Sequence, residues 1–524
     1  MVPDNRAVPR LPQEPIVHPA PATDSVFAEE LAAVRPELLP GYAAELPGAR
    51  AAVLTRLWRA LAYEPLPFVA GRESGAHGLT VRLTDGRRLR GPHADPYATA
   101  GYVTAVHLDR ERYDDPARLM DALGGPGAAG FVAELAHSVA SLALSRAGAE
   151  RREERGNEWP PAEGGGRDWE WERRVTDGHP FHPGCRSRPG FSVAEQLAYG
   201  PEHGPVVELG TVPVPAADCL VSGRWPAELL DGGRLLLPVH PWQAAHVLKR
   251  SYDVWGPARP LMSLRTLALP GGPHVKTALS ARLTSSVRDI SAYSVRAAAP
   301  LSAFGEELVA HTGGLLHLTR TLGAVTAHSP DLAALLRESP ETYAGPGERV
   351  VPVAALATTP LPGRPGWLAE FARLALTVGL RLLDLGVALE AHGQNLLVVL
   401  AADGTPLRLV YRDLADIRVS PARLSRHGIT PPALTGRLIT DDPTVLRRKL
   451  FGSLLCGALA GTAGSARTLA TALEAALPGL PPTPDLPALR EAPLPAKALT
   501  LMRLSPTGTG DLWTELPQPR SVPR

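Results

Sequence analysis

Three stretches of this chain gather residues whose types and spacing could handle a polyanion. In LMSLRTLALPGGPHVKTALSARLTSSVRDIS, residues 261–291, two β-compatible runs flank the breaker cluster Pro270-Gly271-Gly272-Pro273. That pattern predicts a strand, a turn, a second strand and then a helix start. A turn centred near Pro270 and Gly271 would set Arg265 opposite Lys276, with Ser263 two residues along on the same face. Thr284, Ser285 and Ser286 then offer helix caps, and Arg288 follows about one turn later. Cations crowded beside a helix N-terminus repel one another until an anion enters, and a triphosphate has the charge to satisfy them. A solvated cationic face on an edge hairpin would give the same letters. Against that reading, the chain uses arginine almost exclusively: its lysines are Lys249, Lys276, Lys449 and Lys497, so a lysine kept in mid-strand carries information.

In the second stretch, Glu390, His392 and Asn395 precede an expected strand at 396–401. Beyond a turn at Asp403-Gly404 and a strand at 407–411 come Arg412 and Asp413. Residues on either side of a hairpin's open end lie side by side, so these five are expected to meet. Glu390, Asn395 and Asp413 supply hard oxygens of the kind Mg²⁺ takes when it also binds phosphate. The plainer alternative is a surface ion pair between Arg412 and Asp413, worth under about 1 kcal/mol. The third stretch, GHPFHPGCRSRPGFS at 178–192, sets His179, His182, Arg186 and Arg188 in a proline-stiffened loop with donors suited to phosphate or carboxylate. Its H-x-x-H-x-x-C spacing is zinc-like, but the prolines oppose a helical turn and no fourth ligand is evident.

The elements that must hold these stretches follow from periodicity. Apolar positions Leu368, Phe371, Leu374, Ala375, Val378, Leu382, Leu385 and Ala388 predict a helix from Trp367 to about Leu389 that delivers Glu390 and His392. Residues 350–361 read as extended and 235–239 as a buried strand, with a helix start at Pro241. Towards the N-terminus, Phe27, Leu31 and Val34 share a helical face, and 51–61 forms a second amphipathic segment. Strands at 79–83 and 88–90 bracket Asp85-Gly86, and 131–147 makes a helix with Val132, Leu135, Val139 and Leu142 inward. Residues 301–318 are helical or mixed. The charged, Pro/Gly-rich run 151–174 predicts a linker or exposed loop. Past Pro421 the chain reads as helical at 444–461 and 466–476, with an amphipathic piece at 496–504.

A chain of 524 residues can build two or three domains, each with its own core. A formal net charge of +1 argues against nucleic acid and anionic lipid as partners and leaves small molecules. Cys185, Cys219 and Cys456 are odd in number and far apart, as expected in a reducing compartment. The N-terminus lacks the apolar core of a signal peptide, and the apolar runs at 371–389 and 450–463 are interrupted or too short to span a bilayer. A cytoplasmic protein with a flexible arm at 1–22 is expected. No P-loop, Rossmann glycine pattern or internal repeat is present.

GHPFHPGCRSRPGFS, LPVHPWQ, the S-x-R…K…T-S-x-x-R run from Ser263 to Arg288, and EAHGQN followed by RDL occur in an order that resembles the NRPS-independent siderophore synthetases, the IucA/IucC-like family. The resemblance covers roughly 178–414. It implies an α+β fold in a cupped-hand architecture: a thumb at 23–150, fingers with an antiparallel sheet at 151–350, and a largely helical palm at 351–524. It also implies ATP and Mg²⁺ between fingers and palm, adenylation of a carboxylic acid, with citrate favoured, and condensation with an amine or hydroxyl acceptor. Carried over, Lys276, Arg288 and His392 would be catalytic. His182, Ser263, Arg265, Lys276, Thr284, Ser285, Arg288, Asn395 and Asp413 would hold nucleotide, Arg288, Thr284 and His392 would bind substrate, and Glu390, Asn395 and Asp413 would bind metal. Arg186 stands where the family usually has lysine, which keeps charge but not geometry. Alternatives are a kinase-like phosphotransferase, which lacks its catalytic Asp here, and a non-catalytic citrate or siderophore binder; a homodimer is left open.

Overall fold

The computed structural model describes residues 24–148, 159, 167–283, 286–505 and 510–522; the expected arm at 1–22 and the side chains of Thr284 and Ser285 lie outside the described residues. At the N-terminus, helices Asp24–Val34, Leu39–Tyr63 and Ala128–Ala147 pack on a five-stranded antiparallel sheet. Trp58, Leu57, Leu61, Phe131 and Leu135 are fully buried between them, as the apolar periodicity requires. Phe27 and Leu31 point inward as expected, but Val34, in the last turn, is exposed. Helix Ala128–Ala147 is long and apolar enough, by length and composition, to cross a bilayer, yet it lies mostly buried within this unit.

The central sheet has nine strands, every neighbouring pair antiparallel, with Leu220–Gly223 and Leu230–Asp231 at its edges. Strands Thr266–Ala268 and His274–Thr277 form the expected hairpin near its middle, but one residue out of the expected register. Thr266, not Arg265, stands opposite Lys276, and the turn centres on Gly271, whose φ of 62° suits glycine. Because a single-residue slip exchanges faces, Arg265 and Lys276 do not share a face by pairing; Arg265 lies across from Thr277 instead.

The helix expected at Thr284 is also displaced. Strand Leu279–Leu283 is followed by a second strand, Ser286–Arg288, and the helix starts at Ala292, where Ser291 accepts the Ser294 N–H as N-cap. Arg288 is therefore a strand residue. Ser291 sits where the chain leaves the sheet, and this decides the cap.

A four-stranded sheet orders Leu316–Leu318, Pro406–Tyr411, Leu396–Leu400 and Arg349–Pro352, the first joining in parallel. Residues 350–361 are extended only as far as Pro352; a short helix, Val353–Leu356, follows. Helix Trp367–Leu385 packs its apolar stripe beneath this sheet. It ends four residues early at Gly386, whose φ of 108° closes a left-handed cap. Further helices at Pro443–Ser453 and Ala466–Ala476 match the periodicity. The chain finally returns to the N-terminal unit: helix Leu499–Leu504 offers its first N–H groups to buried Glu64, and the Tyr97 hydroxyl donates to the Pro517 carbonyl.

Part of the expected linker is ordered and buried. Helix Asp168–Arg173 has Asp168, Trp171 and Glu172 inside the protein, and Trp171 stacks on Trp159. The three cysteines are free.

Candidate functional site

Lys276 lies on the central hairpin and Asp413 just past the 396–411 hairpin, and their side chains meet across the gap: Lys276 Nζ donates to Asp413 Oδ2 at 2.5 Å. Arg337, ending the neighbouring apolar strand Leu332–Arg337, reaches Asp413 Oδ1 at 3.5 Å. Asp413 takes φ 77°, rare for a residue with a Cβ, and caps the following turn at the Ala415 N–H. Burial raises its carboxyl, but Lys276 and then Arg337 outweigh that and hold it below the usual range. Burial lowers Lys276 to about 7, helped by Arg265 and Arg337 and opposed by Asp413.

Arg265 Nη1 donates to the carbonyls of Arg288 (2.8 Å) and Asp289 (2.9 Å), so it braces the Ser286–Arg288 strand rather than a carboxylate. Burial and then the Arg288 charge lower it to about 10. Arg288 makes no ion pair among the described residues, although Glu390 and Asp413 both act on it through space. Ser263 falls in the turn before the hairpin, where its hydroxyl donates to Thr266 Oγ1 at 2.9 Å, away from the expected shared face. Four cations, Lys276, Arg265, Arg288 and Arg337, thus surround one carboxylate, an excess of positive charge that a polyanion would relieve.

The opposite wall carries Glu390, His392 and Asn395. Gly393 allows the backbone there to approach the helix Val353–Leu356, because a Cβ at that position would lie 3.0 Å from the Ala354 nitrogen. Asn395 and Arg412 are neighbours as hairpin geometry requires, the Arg412 N–H donating to the Asn395 carbonyl at 3.0 Å. The Arg412 side chain turns away from Asp413 to pair with buried Glu172 at 2.7 Å. Glu390 Oε1 is held by Lys449 (2.9 Å) and Lys497 (3.0 Å). Burial raises the Glu390 carboxyl, yet Lys497 and Lys449 keep it well below the usual range. Among the described residues no cluster of three His, Cys, Asp or Glu side chains has metal-ligating spacing. Glu390 and Asp413 are held by separate cation pairs, so a metal ion would have to displace an ammonium or guanidinium group from either.

The 178–192 loop contributes less charge than expected. Arg188 makes two bonds to buried Glu202, at 2.7 and 3.1 Å, and Arg186 binds Glu202 and the carbonyls of Thr176 and Val175, so both guanidinium groups are structural. The histidines remain. His182 Nδ1 accepts the Gly184 N–H at 2.8 Å, which puts the proton of the neutral ring on Nε2, and that buried nitrogen has no hydrogen-bond partner among the described residues. Burial lowers His182 to about 3, with Arg503, Arg56 and Arg288 adding to the shift. His179 and His392 are likewise neutralised by burial, and both accept backbone N–H groups at Nδ1. An unpartnered N–H donor beside surplus cations fits phosphate oxygens.

Sequence reasoning missed Arg337, Lys449, Lys497 and Glu172. A signal for the lysines was present: of the four in the chain, Lys276, Lys449 and Lys497 each hold a site carboxylate. The arginines carried no such signal: Arg188, Arg337 and Arg412 also meet carboxylates inside the protein, but they stand among many others in the sequence.

The fold and site together define an α+β protein in which two hairpins meet at a cation-rich cluster around Asp413. Residues 168–358 match the model of the IucA / IucC family. A second family model, described as ferric iron reductase FhuF-like transporter, matches 366–511. Lys276, Arg288 and Arg337 fall in the first segment and Glu390, His392 and Asp413 in the second. The chain is 24% identical over 312 residues to the citryl-spermidine/3,4-dihydroxybenzoyl-citryl-spermidine:spermidine ligase of Bacillus anthracis, covering 47% of this chain and 51% of the ligase. It is 23% identical to staphyloferrin A synthase of Staphylococcus aureus, covering 52% and 56%. The chain thus spans about half the length of these relatives. Among solved structures, petrobactin biosynthesis protein AsbB of Bacillus anthracis superposes with TM-score 0.73 at 19% identity, covering 93% of this chain and 98% of that one. ATP-bound aerobactin synthetase IucA of Klebsiella pneumoniae gives 0.67 at 18%, covering 90% and 99%. These likenesses show the fold.

Proposed function

We propose that the protein is an ATP-dependent siderophore synthetase that adenylates a carboxylic acid, citrate being favoured, and joins it to an amine or hydroxyl acceptor in the cytoplasm. The observation that carries this reading is the Lys276–Asp413 contact between the two hairpins, ringed by Arg265, Arg288 and Arg337. ATP enters as a second substrate. A carboxylate oxygen of the acid attacks the α-phosphorus, the bond to the pyrophosphate oxygen breaks, and an acyl adenylate remains. The acceptor nitrogen or oxygen then attacks the acyl carbon and loses its proton as AMP departs. No nucleophilic side chain is required.

In this reading Lys276, Arg288, Arg265 and Arg337 stabilise charge gathering on the phosphates, and loss of one such donor typically costs about 10²- to 10³-fold in rate. His182 Nε2–H donates to a phosphate oxygen, and His392 serves the substrate carboxylate. Thr284 and Ser285 remain assigned to phosphate and carboxylate. Mg²⁺ would supply charge neutralisation on the nucleotide, with Asp413, Asn395 and Glu390 as the protein oxygens offered to it, in competition with their present partners. The thumb, fingers and palm boundaries at 23–150, 151–350 and 351–524 belong to the same proposal. The names of the relatives, which specify citryl and spermidine chemistry, favour a citrate-type acid and an amine.

Carboxylate-dependent exchange of pyrophosphate into ATP tests the first step, with citrate first among a panel of acids. AMP and pyrophosphate as products are expected. ADP, or no exchange with any acid, would overturn the assignment.

A further inference from the structure

The short helix Asp168–Arg173 carries two buried carboxylates four residues apart, and so on one face. Together they reach both of the hairpins that meet at Asp413. Asp168 Oδ2 lies 2.7 Å from His274 Nε2, at the first residue of the strand that carries Lys276. Glu172 Oε2 accepts the Met262 N–H at 2.6 Å, at the loop leading into the same hairpin. Its other oxygen, Oε1, lies 2.7 Å from Arg412 Nη2, on the opposite wall and next to Asp413. Arg412 in turn donates from Nε to the Gln394 carbonyl and from its backbone to Asn395, so the pair reaches the EAHGQN loop as well. Burial raises the Asp168 carboxyl, but His274 and then Arg412 hold it below the usual range, in keeping with this contact.

From these contacts, and resting on the function proposed above, we infer that Asp168 and Glu172 are positioning residues: the helix is a brace that fixes the separation of the two walls and thereby the alignment of Lys276 with Asp413 and of both with the nucleotide. Neither carboxylate pairs with the cations around Asp413. A substrate contact is not required of them. The Met262 bond and the Arg412 pair are made by different oxygens of one carboxylate, so displacement of Glu172 would release both walls at once. Asp168 alone would loosen the Lys276 strand and leave the 411–415 corner in place.

Glu172→Gln keeps an acceptor for Met262 but loses the charge that holds Arg412, and Asp168→Asn is the milder partner variant. Their kcat in citrate-dependent pyrophosphate exchange, per folded molecule, should fall at least 30-fold for Glu172→Gln and about 5-fold for Asp168→Asn, with KM for ATP within 3-fold of wild type. The double variant Glu172→Gln/Arg412→Gln should be no slower than the slower single variant. Hydrogen exchange supplies a readout that needs no turnover. In Glu172→Gln, which frees Arg412 but keeps the Met262 acceptor and the Asp168–His274 contact, amides of 411–415 should exchange at least 10-fold faster while those of 274–277 and 128–147 stay unchanged; in Asp168→Asn only 274–277 should move. If wild type catalyses exchange and Glu172→Gln keeps its kcat, the brace is refuted and the proposed function stands. If wild type catalyses nothing, the proposed function falls and hydrogen exchange alone decides the brace. Unchanged protection of 411–415 in Glu172→Gln or of 274–277 in Asp168→Asn, or uniform loosening of the whole protein, would overturn it.

Discussion

At the scale of single residues, the proposed function leans most on Lys276. Burial lowers its ammonium to about 7, with Arg265 and Arg337 adding to the shift and Asp413 opposing it. A bound polyphosphate favours the charged form, so nucleotide binding draws in a proton where the free protein has lost one. ATP affinity should therefore weaken by up to about tenfold per pH unit from pH 7 to 9, and Lys276→Arg, charged throughout, should flatten that dependence. Titration calorimetry in buffers of different ionisation enthalpy measures both the affinity and the proton uptake; a flat wild-type profile would contradict the assignment. Lys276→Ala and Arg288→Ala should each abolish carboxylate-dependent exchange. Lys276→Ala also removes a charged hydrogen bond from Asp413, and a stability loss of about 1.5–3 kcal/mol in urea unfolding is expected. Arg288, which has no ion-pair partner to strand among the described residues, should when replaced by alanine unfold close to wild type. Near-wild-type turnover in either variant would take that residue out of the site.

At the scale of elements, the turns decide where these residues point. Helix Trp367–Leu385 stops at Gly386, where a Cβ would lie 2.7 Å from Arg423 Cβ and 2.9 Å from the Ser420 carbonyl in addition to the positive φ. Gly386→Ala should destabilise the protein by about 1–3 kcal/mol and lower the melting temperature by several degrees. It should also impair exchange, because Glu390 and His392 hang from that corner. A melting temperature equal to wild type would show that the cap is not needed. The hairpin at 266–277 teaches the complementary point. Its existence was legible from Pro270-Gly271-Gly272-Pro273, but two glycines between two prolines allow more than one turn centre. The neighbouring strand Leu332–Arg337 selected the register by pairing Lys276 with Leu335.

At the scale of the whole molecule, the C-terminal segment ties the site to the N-terminal unit. Glu64, fully buried, accepts the N–H groups of Thr500 at 3.2 Å and Leu501 at 2.8 Å. Burial pushes its carboxyl up to about 7, against those hydrogen bonds and Arg59. A carboxyl raised in the fold contributes stability that is complete below pH 4.5 and is lost as pH rises through about 7. The window amounts to about 3 kcal/mol. Glu64→Gln should therefore gain stability relative to wild type between pH 5 and 8, the reverse of the usual effect of deleting a native carboxylate. Thermal unfolding across that range checks the sign, and a difference independent of pH would show that Glu64 is ionised in the folded protein.

The sequence by itself determined the local inventory: both hairpins, the long helix beneath the second, the opposed cationic and acidic clusters and the family resemblance. These depend on periodicity, turn residues and motif order, which are properties of neighbouring letters. Tertiary structure alone decided which charges meet. It sent Arg412 to Glu172 and not Asp413, gave Arg186 and Arg188 to Glu202, brought Lys449 and Lys497 to Glu390, and turned an apparent linker into a buried helix. Buried ions take whichever opposite charge the packing brings within reach, and that choice is made between residues up to hundreds of positions apart.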